Sequence, residues 1–106
     1  MAHERHQSCI AACVACAEEC EHCGDACIGR PEMAGCARTC RDCAQLCLAC
    51  VGFMSRGSQL AAALCRVCAD ACDRCADECG KHQEEHCKRC AEACRRCAEE
   101  CRKMAA

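Results

Sequence analysis

Cysteines at 9, 13, 16, 20, 23 and 27 are separated by steps that alternate between four and three residues. The rhythm returns in Cys36, Cys40, Cys43, Cys47 and Cys50, then in Cys65, Cys68, Cys72, Cys75 and Cys79, and finally in Cys87, Cys90, Cys94, Cys97 and Cys101. These four runs hold all 21 cysteines of the chain. Alternating steps of three and four mark the buried seam of a helix packed against other helices, a place ordinarily taken by aliphatic residues. A thiol can bury as a small hydrophobe, act as a nucleophile, form a disulfide or ligate a soft metal. Repetition along four seams selects the last: nothing singles out one cysteine with a base and an access cleft, as nucleophilic catalysis needs. The expectation is a non-enzyme.

A disulfide scaffold fits poorly. The cysteine count is odd, such scaffolds are loop-rich, and the opening Met-Ala-His-Glu-Arg-His has no apolar signal region. Thiols in a reducing compartment, available to metal, agree better with the pattern. The 14 basic and 16 acidic residues are interleaved, and Phe53 is the single aromatic residue. That composition lacks the basic face and stacking surface of a nucleic-acid binder, and no apolar run approaches a membrane span. Pairs such as Asp70–Arg74, Glu84–Lys88, Glu85–Arg89, Glu92–Arg96 and Glu99–Lys103 place the acid first at helical spacing, the favourable order on an exposed face.

The elements that must carry the seams follow from punctuation. A first helix is expected from near His3 to Cys27 or Ile28, passing through Gly24, with Gly29 at its end and Pro31 opening the next turn. A second runs from about Glu32 to Met54. A third follows Ser58 as its N-cap and ends at Gly80; a fourth spans roughly His82 to Met104. Such short links force antiparallel neighbours. Residues 1–106 therefore read as one all-α domain, an antiparallel up-down-up-down four-helix bundle with a cysteine-lined core.

The two poles of this bundle differ. Ile10, Val14, Val51, Phe53, Leu60, Leu64 and Val67 gather at one and are expected to plug it. The other collects Met33, His82 and His86 beside Cys27, Cys36, Cys79 and Cys87, with His22 nearby. Met33 and His82 continue the seams by one step, and thioether and imidazole suit a metal entrance. Met54 and Met104 also continue seams and are expected as core caps; His6 does so at the plugged pole.

Charge discriminates between metals. Zn(II) with four unshared thiolates carries −2, so five such layers bury about −10 with no seam lysine or arginine to offset it. Cu(I) replaces one thiol proton and leaves the core neutral, and thiolates favour it.

The four thiol seams resemble those of the copper storage proteins, cysteine-rich four-helix bundles that hold Cu(I) internally, and the resemblance covers essentially the whole chain. It implies a cytoplasmic bacterial protein that binds many Cu(I) ions, with roles in copper homeostasis and detoxification. It also implies a homo-oligomer, commonly a tetramer, and a copper chaperone or efflux system as partner. Carried over by residue, it places Cu(I) on Cys9/Cys13, Cys16/Cys20, Cys23/Cys27, Cys36/Cys40, Cys43/Cys47, Cys68/Cys72, Cys75/Cys79, Cys90/Cys94 and Cys97/Cys101. Cys50, Cys65 and Cys87 share ions across helices, and His82, His86 and Met33 match the family's open end. A thiolate Zn(II) store and a metal- or redox-responsive regulator are the competing readings.

Overall fold

The computed structural model describes residues 6–106. Four α-helices follow one another: α1 Gln7–Ala26, α2 Ala34–Ser55, α3 Ala61–Cys79 and α4 Glu85–Ala105, with a 3₁₀ turn Pro31–Met33 leading into α2. Each packs against its two neighbours around a square, α1 on α2, α2 on α3, α3 on α4 and α4 back on α1. Cys9 meets Cys101 while Cys23 meets both Cys36 and Cys87, so α1 runs antiparallel to both α2 and α4. The result is a rod of 44 × 18 × 17 Å. Among the described residues no helix is long and apolar enough to cross a membrane.

The seams fold as their period dictates. All 21 cysteines are buried and unpaired, and they are flanked by buried Ala12, Ala17, Ala44, Ala69, Ala76, Ala91 and Ala98. Alanine favours the helix and lets neighbouring backbones approach closely. No buried residue is polar or charged among those described. The charges stay outside, where some brace single helices and others tie helices together. Glu99–Lys103 closes along α4 at 3.8 Å. Asp70 instead meets Arg102 of α4 at 3.6 Å, and Arg89 reaches Glu19 of α1 at 3.1 Å.

Several boundaries differ from the expectation. The proposed start near His3 lies outside the described residues. Helix α2 begins at Ala34, with the 3₁₀ turn taking the preceding residues. Ser58 does not cap α3, which starts at Ala61; its hydroxyl accepts a hydrogen bond from the Leu60 N–H at 3.1 Å and stabilises the turn before the helix. Helix α4 starts at Glu85, so His82 sits in the connection and not on the helix. Gly29 does take the left-handed conformation, φ 83°. Gly80 keeps an ordinary φ of −64°. Glycine is needed there for space, because a Cβ would stand 2.9 Å from the Ala76 carbonyl oxygen.

The plugged pole is also rearranged. Ile10, Val51, Phe53 and Leu64 pack against the core, but Val14, Leu60 and Val67 are 39%, 61% and 52% exposed. All seven flank seam positions, so adjacency to the seam alone does not bury a side chain: Ile10, Val51, Phe53 and Leu64 are half-buried, while the other three face solvent. Met54, fully buried, closes the axis instead, and His6 approaches its carbonyl oxygen at 3.4 Å. The Arg56 guanidinium lies over the Phe53 ring at 4.6 Å, which covers the ring from solvent.

Candidate metal centre

Because each helix turns one cysteine stripe inward, sulfurs from different helices meet at every level. Cys16 of α1 lies 3.7 Å from Cys43 of α2 and 3.6 Å from Cys94 of α4. Cys20 approaches Cys90 at 3.6 Å and Cys94 at 3.7 Å. Cys40 lies 3.6 Å from both Cys75 and Cys90, and Cys43 is 3.5 Å from Cys72. Towards the Met54 pole, Cys47 contacts Cys68 and Cys97, and Cys97 contacts Cys13. Within single helices Cys16/Cys20 and Cys75/Cys79 are 3.9 Å apart and Cys97/Cys101 4.0 Å apart.

Sets of four donors fall within ligating reach of one another. They include Cys13, Cys68, Cys97 and Cys101; Cys16, Cys43, Cys47 and Cys72; Cys16, Cys20, Cys43 and Cys94; and Cys20, Cys40, Cys75 and Cys90. Cys16, Cys20 and Cys43 each belong to two of these four sets. The centre is therefore a continuous sulfur lattice with shared corners, not a stack of isolated tetrahedra. Distance alone does not choose the ion: metal–sulfur bonds of about 2.3 Å put the corners of a tetrahedron about 3.8 Å apart, close to the thiol contacts seen. Shared corners and the absence of buried countercharge are what favour a monovalent, bridging guest.

Protons are shared within the lattice. Hydrogen bonding from the Cys20 thiol is the first cause holding Cys16 and Cys75 below the ordinary thiol range, and the contact with Cys16 is the first cause raising Cys20. Near the opposite pole burial pushes the Cys27 thiol up to about 12, with the Cys36 and Cys23 sulfurs adding to it. Cys87 is raised too, by burial first and then by Cys23 and Cys36. These thiols are protonated at neutral pH, so a metal ion entering there displaces protons.

That pole carries the mixed donors. His86 Nδ1 lies 3.2 Å from Cys23 Sγ and 3.5 Å from Cys87 Sγ, and Cys23, Cys27, His86 and Cys87 form one donor set. Met33 ends the 3₁₀ turn and is fully buried within the core cluster, so it does not stand open at a mouth. His82 is half-buried in the α3–α4 connection, its N–H bonded to the Cys79 carbonyl at 3.1 Å. The late start of α4 means that His82 and His86 are not stacked one helical turn apart as expected. Above them Arg30 of the first connection bonds Glu84 of the third at 2.9 Å. Two contacts had no sequence signal of their own. The Arg30–Glu84 link depends on loop geometry, and His22, directly before seam residue Cys23, brings its ring edge-on to His86.

The chain matches the family of copper storage proteins over residues 2–106. Among solved structures it is similar to apo copper storage protein 3 of Bacillus subtilis, with 44% identity over 94% of this chain and 98% of that one and a TM-score of 0.90. The Cu(I)-bound form of the Bacillus protein gives 43% identity, coverage of 94% and 97%, and a TM-score of 0.90. A cytosolic copper storage protein from Streptomyces lividans, solved with five coppers, shares 37% identity over 98% of this chain and 94% of that one at a TM-score of 0.91; another structure of it is loaded with 10 copper equivalents (38% identity, coverage of 96% and 84%, TM-score 0.90). No curated protein sequence matches. The chain belongs to the copper storage protein family.

Proposed function

We propose that the protein stores Cu(I), many ions per chain, on the thiolates of its core. The observation that carries this is the lattice itself: 21 unpaired, buried cysteines with shared ligand sets and no buried charge among the described residues. The Bacillus relative has a Cu(I)-bound structure, and the Streptomyces relative is solved with five coppers and with 10 copper equivalents, which supports the same cargo here. Every cysteine from Cys9 to Cys101 is a ligand in this reading, with His86, His82 and Met33 serving the entrance. Residues 1–106 act as one storage domain, and the chemistry is ligand exchange without catalysis. A cytoplasmic site in a bacterium accords with the Streptomyces relative. A tetramer of bundles, and a chaperone or efflux system exchanging copper with it, complete the proposal.

An anaerobic titration with Cu(I) against a chromophoric chelator, with native mass spectrometry and a proton count, tests it. One proton released per ion up to roughly 20 ions per chain is expected if each ion replaces one thiol proton. Saturation near five ions with about four protons per ion, and Zn(II) displacing Cu(I), would transfer the protein to the zinc reading. A regulator would instead respond to the first one or two equivalents with a change in surface or assembly.

A further inference from the structure

One pair of sulfurs departs from the spacing of the lattice. Cys36 Sγ and Cys79 Sγ stand 2.7 Å apart, whereas the other sulfur–sulfur contacts among the described residues run from 3.5 to 4.0 Å. The pair lies between ordinary contact and the bond of about 2.05 Å in a disulfide. A second observation shows why these two close up. Each directly follows a residue of a close approach between α2 and α3: Gly35 precedes Cys36, and Glu78 precedes Cys79. A Cβ on Gly35 would stand 2.6 Å from a Glu78 carboxylate oxygen, so the missing side chain leaves Glu78 room against α2. Both cysteines are fully buried. They sit at helix ends, Cys36 in the first turn of α2 and Cys79 as the last residue of α3, where the backbone gives most readily to the last step of bond closure.

We propose that Cys36 and Cys79 are a reducing pair through which the protein converts Cu(II) to Cu(I) as it takes the ion in. The proposal rests on the copper reading above and adds a redox activity to it. The lattice suits a monovalent guest, so an ion that arrives divalent must gain an electron. The chain has no tryptophan or tyrosine, and its thiols are the strongest reductants it carries. Coordination by Cu(II) takes the protons from the sulfurs it binds. One Cu(II) then draws an electron from the Cys36 thiolate, and the sulfur radical left behind bonds to the Cys79 thiolate beside it. A second Cu(II) takes the excess electron from that S–S unit. Two S–H bonds break and one S–S bond forms, two Cu(II) become two Cu(I), and two protons leave to solvent. The other 19 of the 21 thiols stay reduced to hold the product. Cys23 Sγ lies 3.7 Å from Cys36 Sγ and Cys40 Sγ lies 3.7 Å from Cys79 Sγ, so each new Cu(I) is one sulfur contact from a ligand that remains.

The test adds Cu(II) sulfate anaerobically to the intact, fully reduced apo protein. Electron paramagnetic resonance follows Cu(II), a chromophoric chelator added afterwards counts Cu(I), and peptide mapping after alkylation locates any disulfide. Over the first two equivalents the Cu(II) signal is expected to vanish, with two Cu(I) formed per chain and one cross-link, Cys36–Cys79. Cys36→Ala is expected to slow that phase on the order of a hundredfold, the cost of displacing reacting atoms by about 1 Å, because the next sulfur contacts start at 3.5 Å. Circular dichroism reports whether the variant folds, and mapping of the unaltered protein decides the site even where it does not. Cu(II) that persists, cross-links spread over several sulfur pairs, or wild-type reduction in a folded Cys36→Ala would overturn the proposal. Cu(I) supplied directly gives the storage capacity without any reduction. A low capacity there sinks the storage reading, whereas failure of the Cu(II) arm alone leaves that reading standing.

Discussion

Met33 offers the sharpest separation of packing from chemistry. Its side chain is fully buried at the end of the Pro31–Met33 turn, one seam step before Cys36. Met33→Ala removes a buried thioether arm, and buried methionine-to-alanine changes cost about 2–5 kcal/mol. Set against the roughly 5–15 kcal/mol typical of a whole domain, this is a large fraction, visible as a lowered denaturation midpoint of the apo protein. The same change uncovers Cys36 and its neighbours, so copper removal by a chelator is expected to accelerate. Met33→Leu separates the two roles. It conserves volume, and swaps of this kind usually cost less than about 1.5 kcal/mol, yet it removes the sulfur. If Met33 passes copper to Cys36, the leucine variant keeps apo stability and loads more slowly. Chemical denaturation of the apo forms and stopped-flow loading, measured on the same preparations, give both readouts. A leucine variant that loads at the wild-type rate refutes the ligand role and leaves Met33 as an apolar cap. An alanine variant with undiminished stability refutes the packing argument itself.

Replacing His82 and His86 together by alanine is expected to slow loading and chelator-driven removal while leaving capacity nearly unchanged; unaltered rates, with faster exchange after Phe53→Ala, would place the entrance at the Met54 pole. The reduced apo protein should already be helical by circular dichroism, because the seams are alanine-flanked and fully packed, and copper should raise its denaturation midpoint by adding about 4 kcal/mol of unfolding free energy for each site at a thousandfold excess over its Kd. A mostly coil apo spectrum would contradict the first expectation. The Cys27 thiol, raised by burial from 9.0 to about 12, binds its proton more tightly in the folded state. Its contribution to apo stability is therefore complete below about pH 9 and is lost as pH rises towards 12. Urea midpoints of Cys27→Ala should fall less steeply than wild type across that window, and parallel curves would refute the assignment.

The sulfur lattice was legible because period and residue type coincided: a cysteine at every seam position fixes both which face is buried and what chemistry fills it. Met33 and Met54 were legible for the same reason, as continuations of the rhythm. Leu60 was not, because the plug was read from the clustering of apolar residues, and Leu60 lies in the turn before α3 with its side chain 61% exposed, whereas Leu64, on the helix beside Cys65, packs against the core. His82 failed differently. Where α4 starts is decided by the course of the loop, and the connection keeps His82 although its spacing to His86 suits a helix. Gly80 was legible as the end of the third helix, but not the reason for glycine there, the approach of the Ala76 carbonyl. The His22–His86 contact depends on the stagger between α1 and α4, which no single-helix pattern encodes.

The alanines beside the seams have a consequence for what the rest of the cell can learn from this molecule. With Ala12, Ala17, Ala44, Ala69, Ala76, Ala91 and Ala98 buried at the helix contacts, the separation of the helices is set by backbone and Cβ atoms. These cannot yield as the cysteines between them exchange protons for metal. The long faces of the rod therefore look alike whether the interior is empty or full. A binding partner touching those faces receives no report of the load. Only the ends change with occupancy, where loops, His86 and Met33 lie against the outermost sulfurs, so any machinery that fills, empties or monitors the store must read it from there.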